Sequence, residues 1–123
     1  MNGLLIKFYL PNLDDSDLSV AVDCVREYYD HSPRFCGWLM DGLLDEQARR
    51  LLSTDVPPET SLLTLPHEKW TTRDLREALT LVTAFTYSVK NVQAGKLFDA
   101  LVLPIQAAVH ARLDRLEKNH ARH

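Results

Sequence analysis

Apolar residues recur along most of this chain at three- and four-residue intervals, the spacing of one helix face. The exception comes first. In LLIKFYL (residues 4–10), Leu4, Ile6, Phe8 and Leu10 alternate with Leu5, Lys7 and Tyr9, which predicts a strand with both faces largely covered. Pro11 lacks an amide donor and ends it. Only TSLLTL (60–65) reads as another strand, inside a stretch where Pro57, Pro58 and Pro66 forbid continuous helix. The first strand therefore pairs either with residues 60–65 or with a second chain.

The helical spacing restarts in NLDDSDLSVAVDCVREYYD, where Asp14, Asp15 or Ser16 can cap and Leu18, Ala21, Val22 and Val25 form the apolar face. HSP breaks this helix at Pro33. The segment 34–55 carries Trp38, Leu39, Leu43, Leu44, Ala48, Leu51 and Leu52, with Gly37 and Gly42 weakening its first half, so two short helices meeting near Asp41 are expected. Asp45 to Arg49 and Glu46 to Arg50 are i,i+4 pairs and read as a solvated face. The strongest helix is TTRDLREALTLVTAFTYSVKN, opened by a Thr71-x-x-Asp74 capping box. Two adjacent apolar stripes make it central, contacted from two sides. The last helical region, AGKLFDALVLPIQAAVHARLDRLEKNHARH from Ala94 on, contains Pro104, which predicts a kink there or a second helix starting there.

The fold class expected is mainly α: four to five helices packed around a central helix at about 72–92, with the short N-terminal strand against 60–65. The 123 residues fit a single domain (1–123), with a frayed basic tip from about 118. Hydrophobic residues at 46% and charged ones at 25% can build a core without staples. The wide apolar faces of the last two long helices suggest a homodimer.

A net charge of −3 argues against a general polyanion binder. The two cysteines, Cys24 and Cys36, make no disulfide framework and suit a reducing compartment. The N-terminus is a poor signal peptide, and no stretch approaches the roughly 20 apolar residues of a membrane span. A cytoplasmic protein without membrane contact is expected.

Catalytic chemistry finds few residues in the right pattern. QAGKLFD lacks the upstream glycine and following Ser/Thr of a phosphate loop, and no G-x-S-x-G is present. Cys24, His31 and Cys36 match no zinc spacing; His31 and Cys36 are the nearest thing to a base and a nucleophile. His110 and Asp114, i,i+4 on one helix, could share a proton or a metal but have no second motif of the type a di-metal bundle needs. His67 sits in PHEKW, a loop whose Trp70 is placed to staple it to the next helix. Arg112, Arg115 and Lys118 share a helix side that Asp114 and Glu117 dilute, which disfavours nucleic acid.

The pattern thus points to a non-enzymatic interaction, accessory or regulatory module that uses no cofactor and works on a protein partner or a second copy of itself. Tyr28, Tyr29, Trp38 and Trp70 are its candidate contacts, because aromatics anchor interfaces. A small metal- or ligand-binding protein with hydrolase activity, built on His31, Cys36, His67, His110 or Asp114, is the alternative. A nucleic-acid-binding regulator using the basic C-terminal helix is the second.

Overall fold

The computed structural model describes residues 4–52 and 62–121. Its order is β1 (Leu4–Tyr9), α1 (Asp15–Glu27), α2 (Pro33–Leu52), β2 (Leu62–Leu65), α3 (Thr72–Ser88) and α4 (Val92–Ala121), with short 3-10 turns at Leu10–Asn12, Tyr29–His31 and His67–Lys69. The chain is mainly helical, as its periodicity predicts.

The N-terminal strand closes its own fold. β1 pairs antiparallel with β2, matching Leu4 to Leu65, Leu5 to Thr64 and Tyr9 to Leu62, with a bulge between Leu5 and Tyr9. A two-stranded ribbon is marginal alone. Here Ile6 and Leu65 are fully buried, and β1 packs on α4. Each such side chain contributes about 1.5–3 kcal/mol by leaving water. Residues 60 and 61 of the anticipated partner strand lie outside the described residues.

α1 begins at a reciprocal capping box: Asp17 N donates to Asp14 Oδ1 at 2.7 Å, and Asp14 N donates to Asp17 Oδ2 at 3.1 Å. Leu18, Ala21, Val22 and Val25 face the core at the expected intervals. Asn91 joins this helix start to another. Its Nδ2 donates to Asp17 Oδ1 at 2.8 Å, while its Oδ1 accepts from Ala94 N at 2.9 Å as the cap of α4. The bond from Asn91, with the backbone bond to Asp14 second, holds the Asp17 carboxyl below its ordinary value of 3.8. The stability this carboxylate carries is present above the unfolded value and lost as pH falls through the lower folded one. Asn91→Ala should return Asp17 toward its ordinary value and weaken the start of α4 by about 1 kcal/mol. Carboxyl chemical shifts through an acid titration, with urea melts at neutral pH, check both effects; an unmoved Asp17 midpoint would contradict the assignment.

Two expectations about helix boundaries are corrected. α2 is one continuous helix, not two meeting near Asp41. Its Gly42 serves packing instead: a Cβ there would meet Leu63 Cδ2 at 2.5 Å, so the glycine lets β2 sit down on the helix. Pro33 opens α2 as its first residue, where a missing N–H costs nothing. α4 runs as one helix through Pro104 to Ala121, so no second helix starts at the proline, with Leu101 and Ile105 on either side fully buried.

α3 and α4 form an antiparallel hairpin, the largest helix contact in the molecule. α3 starts at the capping box read from the sequence, Asp74 N donating to Thr71 Oγ1 and Thr71 N to Asp74 Oδ2, both at 3.1 Å. Leu75, Ala78, Leu81, Val82 and Phe85 are buried. Thr83 and Thr86 donate their hydroxyls back to Leu79 and Val82 carbonyls at 2.8 Å, which lets them sit against the core. The width of α3 is thus used within the chain.

α4 also amends the membrane expectation. Over Val92–Leu116 it is long and apolar enough to cross a membrane by length and composition. That apolarity supplies Leu97, Phe98, Leu101 and Ile105 to the core, all fully buried.

Candidate functional site

The aromatics read as contacts form an internal stack more than a surface. Trp70 is 4% exposed, edge-on to Phe35 and to Trp38. Trp38 is half-buried, and its Nε1 donates to the Thr64 carbonyl at 3.1 Å, tying α2 to β2. Tyr28 is half-buried against Phe85, with ring centroids 5.4 Å apart. Tyr29 alone is exposed, with its hydroxyl end passing over Gly37. The rings join α2, α3 and α4 through Phe35, Phe85 and Phe98.

The polar candidates scatter. Cys36 is fully buried and its Sγ donates to the Tyr28 carbonyl at 3.5 Å. Burial pushes its thiol up to about 11, with Cys24 beside it as the second cause. Burial, followed by Glu27, pushes Cys24 up to about 11 as well. Neither is an activated nucleophile. Both should alkylate slowly with iodoacetamide at pH 8 in the native protein and at least tenfold faster in denaturant, as read by mass spectrometry. Rapid native labelling of Cys36 would contradict this. His67 is half-buried, its Nδ1 3.4 Å from the Leu65 carbonyl. His110 and Asp114 are exposed on α4 and make no bond to each other. No group of three His, Cys, Asp or Glu among the described residues could hold a metal ion. Arg112 leaves the basic face by donating to the His67 carbonyl at 3.1 Å; the side chains of Lys118, His120, Arg122 and His123 lie outside the described residues.

His31 is the exception. It is exposed at the end of the turn that follows α1, its ring 5.5 Å from that of Tyr28. There it lines an open groove of about 540 Å³ against the outer face of α3, with Thr72, Arg73, Arg76, Glu77, Thr80 and Leu81. Thr72 and Arg73, the first two residues of α3, belong to this lining, so the first turn of the helix, with its partial positive charge and the Asp74 carboxylate of its capping box, borders the groove. Arg73 pairs with Glu77 at 3.7 Å, and Arg34 with Asp74 at 3.7 Å. The guanidinium of exposed Arg76 has no partner among the described residues. Thr80 donates its hydroxyl to the Arg76 carbonyl at 3.1 Å. Leu81, 8% exposed, supplies an apolar patch in the lining. A second groove of about 400 Å³ lies between α1 and α2, lined by Asp15, Leu18, Ser19, Gln47, Arg50 and Leu51.

Sequence reasoning picked out His31 and passed over Arg73, Arg76 and Thr80. On a helix wheel these are ordinary solvent-face residues. Only the turn packed beside them makes a concave surface. The Glu46–Arg50 pair was also misjudged as solvated. Glu46 is 4% exposed, and Arg50 Nε donates to its Oε2 at 3.0 Å. Arg50 also donates to Asp15 Oδ1 at 2.9 Å and to the Leu10 and Leu13 carbonyls, so this pair locks α2 to the segment between β1 and α1.

Compared with known proteins, the chain matches no family model, no curated protein and no solved structure.

Proposed function

We propose that this protein is a small non-enzymatic interaction module whose working surface is the groove between His31 and the outer face of α3. The observation that carries the reading is the combination of an open concavity, an apolar lining residue and an Arg76 without a partner among the described residues, on one helix face. A groove of this kind suits a segment of another protein, with a side chain against Leu81 and polar groups along the rim. Two free cysteines suit a reducing compartment, so we place the module in the cytoplasm. A hydrolase would need a nucleophile or metal beside His31, and the lining offers only threonines, arginines, Glu77 and Leu81.

A photo-crosslinking amino acid placed at Thr80, and separately at Leu103 on the exposed side of α4, tests this in the cells that make the protein. A discrete adduct from Thr80 and none from Leu103 is expected. Adducts from Leu103 alone would overturn the reading and favour α4 as the contact face, with a second copy of the chain as its first suspect.

A further inference from the structure

We infer that the occupant of the His31–α3 groove is an acidic, partly apolar segment of a partner protein. This rests on the docking reading above and adds the partner's chemistry. The chain as a whole carries −3, so a locally cationic groove is a departure from its average. Within the lining, Arg73 already answers Glu77 at 3.7 Å, and nearby Arg34 answers Asp74 at 3.7 Å. Arg76 is the lining arginine without a partner among the described residues, and its planar guanidinium presents a fork of donors that fits a carboxylate with two parallel bonds. His31 stands in the same lining from the other wall and offers a ring N–H. The first turn of α3 borders the same lining, where the N–H groups of Thr72 and Arg73 have no intrahelical acceptor and the Asp74 carboxylate is answered by Arg34.

Two features select a peptide over a polyphosphate backbone. Glu77 sits in the lining and repels a continuous run of negative charge, whereas a carboxylate placed only on Arg76 avoids it. The edge of Leu81 left at the groove, 8% of the residue, is an apolar contact that a phosphodiester cannot use and a leucine or phenylalanine can. The groove therefore reads as one or two acidic residues next to an apolar anchor.

The experiment is fluorescence anisotropy on the full chain with a short fluorescein-labelled peptide of alternating glutamate and leucine. Controls are the same peptide with glutamine for glutamate, and a labelled oligothymidylate. The glutamate peptide should bind, the glutamine peptide at least roughly tenfold more weakly, and binding should weaken further as salt rises. Arg76→Glu should abolish binding and Arg76→Gln weaken it about tenfold, while Arg115→Glu on α4 leaves it unchanged. Arg76 is exposed, so its variants keep the wild-type melting temperature. Equal binding of the two peptides, indifference to Arg76→Glu, or tighter binding of the oligonucleotide would each overturn the inference. If Thr80 crosslinks to a partner while the glutamate peptide fails to bind, the acidic occupant is wrong and the docking reading survives. If Thr80 also stays silent, both fall.

Discussion

Phe85→Ala should cost about 3–5 kcal/mol of folding stability, the range for emptying a buried aromatic site. Phe85 is fully buried and is the ring on which the others converge: Phe98 at 5.1 Å, Tyr28 at 5.4 Å and Phe35 at 6.5 Å between centroids. Those partners come from α4, the end of α1 and α2. A cavity there is walled by four elements that cannot all collapse inward. For a domain of this size the melting temperature should fall by roughly 12–20 °C. Phe85→Leu, which keeps most of the volume, should lose much less. Urea denaturation with an unchanged m-value measures it, because only the midpoint then moves. A loss under about 1 kcal/mol would mean α3 is not the hub of the core.

The second large effect belongs to Arg50. Its guanidinium reaches a carboxylate on its own helix, a carboxylate at the start of α1 and two carbonyls of the intervening chain. Arg50→Ala leaves Glu46 at 4% exposure without its closest cation, with Arg49 remaining at 3.5 Å, and removes the guanidinium donor from the Leu13 carbonyl, while the Leu10 carbonyl keeps Leu13 N. Breaking a buried pair costs about 3–5 kcal/mol when the partner is stranded; here Glu46 keeps Arg49 and Arg50 is itself a quarter exposed, so about 2 kcal/mol is expected. Arg50→Lys should recover little, since one ammonium cannot replace a fork that serves four acceptors. Replacing both partners, Glu46→Leu with Arg50→Met, should restore most of the loss, because no buried charge is then stranded. Chemical melts of the two single variants and the double variant give the coupling directly; additive losses would show that the two side chains do not act as a unit.

The same lock shows how far sequence reading carries. Glu46 and Arg50 were visible as a pair, but spacing says only that two side chains share a helix face. It does not say whether that face meets water or another segment. The stretch Leu10–Leu13 folds over it, and nothing local to α2 announces that. Signals whose physics is local were legible: the Thr71–Asp74 box, the start of α1 near Asp14, and a strand in LLIKFYL whose partner was sought in the right loop. Backbone breakers misled where tertiary packing overrode them. Gly42 marks the close approach of Leu63 within a continuous helix, and Pro104 lies inside a helix whose Leu101 and Ile105 are fully buried. The aromatics looked like an interface because burial is not written in a residue's own identity. The groove stayed hidden for the opposite reason: Arg73, Arg76 and Thr80 are unremarkable until the Tyr29–His31 turn is laid beside them.

The most direct measurement is an amide NMR titration of the full chain with the glutamate–leucine peptide. Shifts concentrated on His31, Thr72, Arg73, Arg76 and Thr80, with Tyr9 and Leu103 unmoved, would place the contact in the groove as expected. Shifts gathered instead along β1 or the outer side of α4, with the groove residues unmoved, would contradict the assignment of α3 as the docking face.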